Sequence, residues 1–478
     1  MAKFYDTLLA EYVKNPGVRG LGLDKLASTK LDYEMLNFDD LVKKQKLNNF
    51  SEVDLELASK YSGEDVYITY QIFCEQELSD TENKILEEMD FPFIEVLKNM
   101  EITGVKISRD RLKELGIIFE NKADKFEKLI YEICGEEFNI NSPKQVGGIL
   151  FDKLGLPKGK KTKTGWSVSA EVLENLAKEF PVADHIIKYR HFTKLNSTFV
   201  NGLLDLLDEQ DLLHTTYNQA VTATGRLSST NPNLQNIPSS SGIAGEVRSA
   251  FVSRFEGGKI MAIDYSQVEL RLLAIMSGDE NLLDAFKRGF DIHQRTAELI
   301  GTTDRKVAKA VNFGVVYGIS GFGLSKMIDI TVSDANLYIK KFFESYPKVR
   351  IFLDETIKFC EENGYVETLF GRKRFIKGIT DRNKMIKSGA EREAINMPIQ
   401  GTNADIMKVA MIKIDEFMVE KKSKLIMQVH DEVVFDIYPG EEEIIEKEII
   451  SIMENVLVDK EITLKVDCEI GENWRDAK

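Results

Sequence analysis

Two short apolar stretches that end in acidic residues decide the predicted fold. Residues 259–264 are KIMAID, and residues 425–437 are LIMQVHDEVVFDI, with apolar runs on both sides of His430-Asp431-Glu432. Short apolar runs bounded by polar residues predict buried strands, and the second stretch predicts a β-hairpin with its acids at the tip. From about residue 207 onward such strands alternate with helical patterns, which predicts an α/β or α+β body.

Asp264 and Asp431 are the candidate metal ligands. If the two strands are neighbours, the carboxylates converge and repel each other, and a divalent cation relieves that repulsion. Hard oxygen ligands suit Mg²⁺, and two such ions about 4 Å apart stabilise both the attacking and the leaving oxygen of a phosphoryl displacement. For either aspartate alone, an ordinary polar residue at a strand end is the simpler explanation, and sequence spacing does not bring the two together.

Residues 305–318, RKVAKAVNFGVVYG, predict a helix with one unusual face. Two cations and two aromatic rings recur there at every fourth position: Arg305, Lys309, Phe313 and Tyr317. Positions four apart lie on one helical face. The cations suit a triphosphate, and the rings suit stacking against a base or sugar. An amphipathic helix with a basic end is the alternative.

The composition is that of a multidomain protein. The 478 residues exceed one ordinary core. No apolar run approaches the roughly 18 residues of a membrane span, and the first residues lack the apolar core of a secretory signal. None of the four cysteines forms a Cys-x-x-Cys pair. We therefore expect a reducing, cytoplasmic setting, a monomer and no membrane partner.

The net charge of −15, taken as a sum, opposes nucleic-acid binding. Binding depends on the distribution of charge, however, and basic clusters occur. One cluster lies between residues 158 and 163, and another between residues 372 and 377. For either cluster alone, solvated loop charges are the simpler explanation.

Several motifs, in the same order along the chain, resemble those of the family A DNA polymerases, the family of bacterial DNA polymerase I. DYSQVELR (264–271) resembles motif A, residues 305–318 resemble motif B, and QVHDE (428–432) resembles motif C. Further matching stretches are TATGRLSS (222–229), NPNLQNIP (231–238), MPIQGT (397–402) and, in the thumb, FNINSPKQ (138–145). The likeness covers nearly the whole chain, and this many motifs in order exceed coincidence.

The resemblance implies a right-hand architecture of thumb, palm and fingers in a multidomain α+β fold. It divides the chain into a remnant of a 3′–5′ exonuclease-like domain (1–82), the thumb (83–206), the first part of the palm (207–274), the fingers (275–386) and the second part of the palm (387–478).

The resemblance also implies a template-directed, DNA-dependent DNA polymerase, a nucleotidyltransferase that extends a primer 3′-hydroxyl with dNTPs and releases pyrophosphate. Asp264 and Asp431, with the backbone carbonyl of Tyr265, would bind two Mg²⁺ ions, for which Mn²⁺ can substitute. Glu432 would support them, and Lys309 would donate a proton to pyrophosphate. Replication and repair both remain open as the biological role.

Further residues of the motifs acquire roles in the same way. Arg305 and Lys309 would hold the nucleotide phosphates, Phe313 would lie near the sugar, and Glu269 with Tyr317 would exclude a 2′-hydroxyl. The remaining implied nucleotide-binding residues are Gln267, Tyr265 and His293. Phe313 further implies discrimination against dideoxynucleotides, because family members with tyrosine there accept them more readily.

The implied DNA contacts form two groups. The primer–template near its end would meet Arg226, Asn233, Gln235, Arg392, Asn396, Gln400 and His430. Minor-groove acceptors there are nearly the same for all correct pairs, so these contacts test pair shape. In the thumb, the duplex backbone would meet Lys158, Lys160, Lys161, Lys163, Arg190 and Lys194.

The chain departs from the family in two places. YSGED (61–65) matches only the last acidic motif of the exonuclease domain, so we expect Asp65 to be structural and proofreading to be absent. No counterpart of the 5′-nuclease domain is found. The connection from Asp291 to Lys309 is short, and Arg305-Lys306 replaces the usual Arg-Arg pair. The short connection puts the local fingers geometry in question and indicates a phage-like or divergent origin. The expected location is the cytoplasm of a bacterial or phage-like system.

Three alternative functions remain to be weighed. A single-subunit RNA polymerase shares the palm and a similar helix, but Glu269 and the stretch TGRLSS favour DNA synthesis. A catalytically inactive DNA-binding clamp is opposed by the retention of Asp264, Lys309 and Asp431. An exonuclease is opposed by the missing acidic motifs.

Overall fold

The computed structural model describes residues 4–18, 20–159, 161–162, 165–239, 242–457 and 461–478. Its α-helices, in chain order, are α1 (Thr7–Lys14), α2 (Leu23–Leu31), α3 (Phe38–Val42), α4 (Leu55–Glu75), α5 (Asp80–Ile85), α6 (Phe91–Thr103), α7 (Arg109–Cys134), α8 (Pro143–Gly147), α9 (Ala170–Ala177), α10 (Pro181–Lys194), α11 (Gly202–Leu204), α12 (Val268–Ser277), α13 (Glu280–Lys287), α14 (Ile292–Ile300), α15 (Arg305–Val316), α16 (Gly321–Ile328), α17 (Val332–Ser345), α18 (Pro347–Asn363), α19 (Lys384–Met418) and α20 (Glu442–Glu454).

The strands, in chain order, are β1 (Val105–Lys106), β2 (Lys161–Thr162), β3 (Gly165–Trp166), β4 (Leu212–Leu213), β5 (Thr216–Asn218), β6 (Ser228–Thr230), β7 (Lys259–Tyr265), β8 (Tyr365–Glu367), β9 (Lys373–Phe375), β10 (Lys424–Val429), β11 (Glu432–Ile437) and β12 (Val466–Gly471). Helices account for 59% of the structure, and the predicted α+β class is confirmed.

One four-stranded antiparallel sheet, in the order β10-β11-β7-β12, carries the candidate metal ligands. Strands β7, β10 and β11 are mostly apolar because they are covered on both faces, whereas the edge strand β12 alternates polar and apolar residues. Met261 and Ile263 of β7 pack into one hydrophobic core, whereas Ile260 and Ala262 pack into another. Successive side chains of a strand point to opposite faces, so a strand between two cores has no polar face. The two predicted strand regions are therefore confirmed.

Three successive helices between the sheet strands begin at aspartates. The side chains of Asp279, Asp291 and Asp304 accept hydrogen bonds from backbone N–H groups in the first turns of α13, α14 and α15. Such caps satisfy N–H groups that lack a partner within the helix, and the negative charge suits the helix N-terminus. They fix where α15, the helix with the predicted cationic and aromatic face, begins.

The helices between residues 109 and 201 form a body with its own core. The long helices α7 and α10 pack side by side, and Phe126 stacks on Phe192 with ring centroids 6.0 Å apart. A separate hydrophobic cluster that includes Ile130, Leu150 and Ile186 fills the end of this body. The end of this body therefore has a core of its own, whereas α7 and α10 also share a second core with β7 of the sheet.

A fully buried ionic cluster joins distant parts of the chain. Arg372 donates from Nη1 and Nη2 to the carboxylate of Asp90, at 3.0 and 2.9 Å, and from Nε to Asp405 at 2.7 Å. Lys408 donates to Asp90 at 2.7 Å. The two cations keep the pKa of Asp90 well below its usual range despite the opposing effect of burial. The cluster ties the start of α6 and the β8–β9 turn to α19.

The predicted domain boundaries remain predictions. The divisions after residues 82, 274 and 386 fall within α5, α12 and α19, so no break in secondary structure marks them. The helices that begin the chain pack onto later segments, and Tyr12 donates a 2.6 Å hydrogen bond to the backbone of Thr222. Within the described residues, no helix is long and apolar enough to cross a membrane.

Candidate active site

The structure brings Asp264 and Asp431 to the same end of neighbouring strands. Asp264 lies opposite Glu432 in the antiparallel register of β7 and β11, and the N–H of Tyr265 donates to the carbonyl of Asp431 at 3.1 Å. His430 has a φ of 57° in the tight turn before Asp431. The predicted hairpin is present, with two differences. Glu432 is the first residue of its strand, and Asp264 lies inside β7.

Burial and the neighbouring carboxylates perturb Asp264. The surrounding protein, followed by the charges of Asp431 and Glu432, raises the pKa of Asp264 to about 7. The side chain of Asp264 nevertheless reaches solvent. Asp431 is fixed by the buried amide of Asn403, which donates to its Oδ1 at 2.6 Å. The geometry therefore presents two negative groups to a solvent-accessible position where a cation lowers their energy.

The donor set fits a magnesium ion that keeps several of its water ligands. Among the described residues, no three His, Cys, Asp or Glu side chains are arranged as a ready metal site. The protein offers two carboxylates, and the hydroxyl of Tyr265 is directed away to the carbonyl of Met453 at 2.8 Å, which leaves only its backbone for a metal. Mg²⁺ characteristically takes few protein ligands and fills its octahedron with water and substrate phosphates.

Glu432 is surrounded by donors. Its Oε1 accepts from the indole N–H of Trp474 at 2.5 Å, and its Oε2 pairs with Lys478 at 2.7 Å. Arg248 stacks over the ring of Trp474, 3.8 Å from its centroid, with Nη1 3.9 Å from Glu432. Glu432 is therefore neutralised by protein groups, in contrast to Asp264.

Glu269, in the first turn of α12, is a buried carboxylate with two partners. It accepts from Tyr317 at 2.9 Å and from Nη2 of Arg226 at 2.8 Å. The same Arg226 nitrogen lies 3.8 Å from Asp431. Burial raises the pKa of Glu269, although Arg226 and Tyr317 act in the opposite direction. A single network thus joins the nucleotide-selecting pair proposed from the motifs to a candidate metal ligand.

The face of α15 is arranged largely as predicted. The ammonium of Lys309 lies 5.9 Å from the ring centroid of Phe313, and Arg305 pairs with Asp291 at 2.8 Å. The helix ends at Val316, so Tyr317 is its C-terminal cap and does not belong to its last turn. Both cations are exposed and available to an anionic ligand.

His293 is a buried residue that packs against Phe313 and Asn312 of α15. It is 3% exposed, its ring centroid lies 5.8 Å from that of Phe313, and its Nδ1 lies 2.9 Å from the amide nitrogen of Asn312. Because the hydroxyl of Thr296 donates to the amide oxygen of Asn312, the amide nitrogen is the donor to His293. Burial and the nearby cations Arg305 and Lys309 lower the pKa of His293 to about 4, so it is neutral at pH 7.

The implied primer–template residues lie on three segments around the carboxylates. Gln235 donates to Gln428 at 3.0 Å, and the side chain of Asn233 caps a short 3₁₀-helix, Leu234–Asn236. The helix α19 carries Arg392, Asn396 and Gln400, and a buried side-chain oxygen of Asn396 has no partner among the described residues. His430 is exposed in the hairpin turn. Gln267 begins α12 in the left-handed region, with a φ of 53°.

The lysines expected to contact the duplex backbone are exposed where the structure describes them. Lys158 and Lys161 are exposed and lie 5.1 and 5.4 Å from the ring centroid of Trp166, and Lys194 is exposed at the end of α10. Lys160 and Lys163 lie outside the described residues.

Arg190 differs from these exposed lysines in being bound to the backbone of the chain itself. Its Nε and Nη2 donate to the carbonyl of Ile140 at 3.3 and 3.2 Å, and its Nη1 donates to Val168 at 3.2 Å. All three nitrogens bind backbone carbonyls. Arg190 therefore ties α10 to neighbouring segments, and its contact with DNA stays a prediction.

Sequence reasoning missed four residues around the carboxylates: Asn403, Arg248, Trp474 and Lys478. Asn403 lies three positions after Gln400 on α19, so helical spacing from a motif residue was an available signal. The other three carry no local pattern, because their contacts with Glu432 form only in the folded chain.

Asp65 lies on α4, away from the sheet. Burial and the charge of Glu64 raise its pKa, and Tyr61 is its hydrogen-bond partner. Glu64 is occupied by the hydroxyl of Tyr33 and the N–H of Leu36, both at 2.7 Å.

The fold is that of a polymerase domain. The chain belongs to DNA polymerase family A, whose family model matches residues 109–476, and the resemblance stated from the motifs is confirmed.

Relatives and a solved structure agree with this assignment. The chain is 44% identical to DNA polymerase I of Bacillus subtilis over 99% of its own length and 55% of that protein. It is 46% identical to DNA polymerase I of Lactococcus lactis MG1363 over 84% of its length and 47% of that protein. The chain thus spans about half the length of these relatives. A structure of the POL domain of Pol1 from M. smegmatis, in complex with DNA primer-template and dNTP, matches 99% of this chain and 82% of that chain, with a TM-score of 0.86 and 33% identity.

Proposed function

We propose that this chain is a DNA-dependent DNA polymerase that adds dNTPs to a primer 3′-hydroxyl and releases pyrophosphate. The observation that carries the proposal is the convergence of Asp264 and Asp431 at adjacent strand ends, with the pKa of Asp264 raised to about 7. The names of its relatives and the ligands of the M. smegmatis structure support primer–template DNA and dNTPs as partners. Two divalent cations bound at these carboxylates would activate the primer hydroxyl and stabilise the leaving pyrophosphate.

The side chains of the chain itself bind, orient and select. Arg305 and Lys309 attract the triphosphate, and Lys309 is the candidate proton donor to pyrophosphate. Glu269 and Tyr317 occupy the space that a 2′-hydroxyl needs, with the carboxylate fixed by hydrogen bonds on both sides. Positioning and charge neutralisation supply most of the catalysis in phosphoryl transfer.

We further propose that residues 4–82 do not proofread. Glu64 is engaged by neighbouring groups, and no cluster of metal-ligating side chains surrounds Asp65 within the described part of the chain. The same proposal includes action as a monomer in the bacterial cytoplasm, where a DNA polymerase meets its template.

Primer extension on a labelled primer–template with Mg²⁺ and four dNTPs tests the proposal. Extension is expected from the wild type and from Asp65→Ala, a matched acidic control outside the sheet. Asp264→Ala and Asp431→Ala are expected to lose at least about 10³-fold in kcat, because each removes a ligand worth several kcal/mol in the transition state. Absence of extension despite tight DNA binding would favour the inactive clamp. Primer shortening without dNTPs would refute the absence of proofreading, and preference for NTPs would favour an RNA polymerase.

A further inference from the structure

A cavity of about 410 Å³ opens beside the catalytic carboxylates. Its wall includes Asp264, Asp431 and Glu432 together with two cations, Arg248 and Lys478. Neither cation has a part in the function proposed above. Metal ions at Asp264 and Asp431 would leave Glu432 as the uncompensated negative charge on this wall, were it not for these two residues.

Lys478 is presented by a firmly docked segment. Trp474 is fully buried, and its backbone N–H donates to the carbonyl of Phe251 at 3.0 Å. Gly471 allows the chain to fold back, because a Cβ there would lie only 2.5 Å from the backbone carbon of Asp476. The backbone that precedes Lys478 is therefore fixed, whereas the Lys478 side chain itself is 43% exposed.

Two cations, Lys478 and Arg248, lie beside the single negative charge of Glu432. This carboxylate keeps the Trp474 N–H and the Lys478 ammonium, while Nη1 of Arg248, 3.9 Å away, is buried and has no hydrogen-bond partner among the described residues. A buried donor without a hydrogen-bond partner destabilises the protein. A small movement of Glu432 towards Nη1 of Arg248 would give this donor a partner. Glu432 can thus release Lys478 and remain compensated by Arg248.

We propose that Lys478 binds a phosphodiester of the primer strand next to its 3′ end, and that Glu432 holds the Lys478 ammonium while no DNA is bound. The proposal rests on the proposed polymerase function, which brings the primer terminus to Asp264 and Asp431. A strand that enters this cavity places a phosphate beside Glu432, and a cation must separate the two charges. Lys478 is suited to this exchange, because its flexible stem carries a compact charge that half faces solvent.

The first test measures DNA affinity in metal-free buffer as a function of salt concentration. Lys478→Met is expected to lower the slope of log affinity against log salt by about one unit, since one phosphate contact is lost. Lys447→Met, which removes an exposed lysine of α20 outside the cavity, is the matched control and should leave the slope unchanged. An unchanged slope in Lys478→Met would overturn the proposal.

A second variant separates phosphate binding from mere neutralisation of Glu432. Glu432→Gln releases Lys478, so its DNA affinity should equal or exceed that of the wild type, with the salt slope retained. If Lys478 only compensates Glu432, neither variant changes the slope, and the proposal fails.

A chemically altered primer locates the contact. Replacing the last internucleotide linkage by an uncharged methylphosphonate should weaken binding by the wild type but not weaken Lys478→Met further. Equal losses in both proteins would refute the assignment to this phosphate. Wild-type protein that neither binds nor extends primer–template would refute the proposed function itself, whereas normal extension with an unaltered Lys478→Met slope would refute only the role of Lys478.

Discussion

The hydroxyl of Tyr317 donates a 2.9 Å hydrogen bond to Oε2 of Glu269, which joins the end of α15 to the first turn of α12. The carboxylate is 5% exposed, and burial, followed by the charge of Glu269, raises the pKa of Tyr317 to about 12. Tyr317 therefore remains a neutral phenol, able to donate to Glu269, over the whole physiological pH range.

Glu269→Ala is expected to weaken sugar discrimination. The alanine leaves room for a 2′-hydroxyl, so incorporation of NTPs relative to dNTPs should rise by roughly 10- to 100-fold. Single-turnover incorporation of ATP and dATP opposite the same template base gives this ratio. Tyr317→Phe is the companion variant, which keeps the carboxylate and should change the ratio less. A ratio unaltered by Glu269→Ala would remove this residue from sugar selection.

Metal affinity should depend on pH near neutrality. The raised pKa of Asp264, about 7, means that protons compete with a divalent cation below that pH. The apparent dissociation constant of Mn²⁺, measured by electron paramagnetic resonance without DNA or nucleotide, should rise by up to about tenfold per pH unit between pH 7 and 5. A constant affinity over that range would contradict the perturbed carboxylate.

Stability should fall in mild acid through His293. Its folded pKa of about 4 lies below the usual 6.5, so the unfolded chain binds the proton preferentially and stability is lost as the pH falls from 6.5 to 4. At pH 5 this amounts to about 2 kcal/mol. The difference between the urea-unfolding free energies at pH 7.5 and pH 5 should therefore be smaller for His293→Gln than for the wild type. Identical pH dependence in the two proteins would show that His293 is protonated as readily in the folded chain as in the unfolded chain.

Arg372→Met should destabilise the protein by about 3–5 kcal/mol, because it leaves the buried carboxylates of Asp90 and Asp405 without their shared cation. Arg288→Met removes an exposed arginine that pairs with Asp284 and should cost no more than about 0.5 kcal/mol. Denaturant unfolding followed by circular dichroism compares the two. Equal losses of unfolding free energy in the two variants would show that the buried cluster stabilises the protein no more than a surface ion pair does.

Phe313→Tyr should increase acceptance of dideoxynucleotides, as the family resemblance implies. A phenolic hydroxyl near the sugar supplies a polar group where the 3′-hydroxyl is missing, and one hydrogen bond of about 1.4 kcal/mol corresponds to tenfold. Competition between ddTTP and dTTP in primer extension measures the change. An enzyme that already uses both equally with Phe313 would contradict the expectation.

The predictable parts of the structure are those encoded by local pattern. The strand that carries Asp264 and the two strands that flank Asp431 were identifiable because burial on both faces makes them mostly apolar. Helix α15 was identifiable by its four-residue spacing. The bond from Asn403 to Asp431 and the pairing of Lys478 with Glu432 were not, since each joins segments that approach only after folding. The backbone hydrogen bonds of Arg190 could not be predicted either, because a basic residue in sequence does not reveal whether backbone carbonyls will surround it.

The close approach of carboxylates at the strand ends has a second effect. The arrangement proposed to bind the metal ions also lowers the stability of the folded protein. Asp264 has a folded pKa above its unfolded value, so its ionisation destabilises the folded chain progressively as the pH rises from about 4 through 7. Substitutions of Asp264 that remove this repulsion should give a protein that is more stable to heat but inactive. A selection for heat resistance alone would therefore be expected to discard the feature on which polymerisation depends.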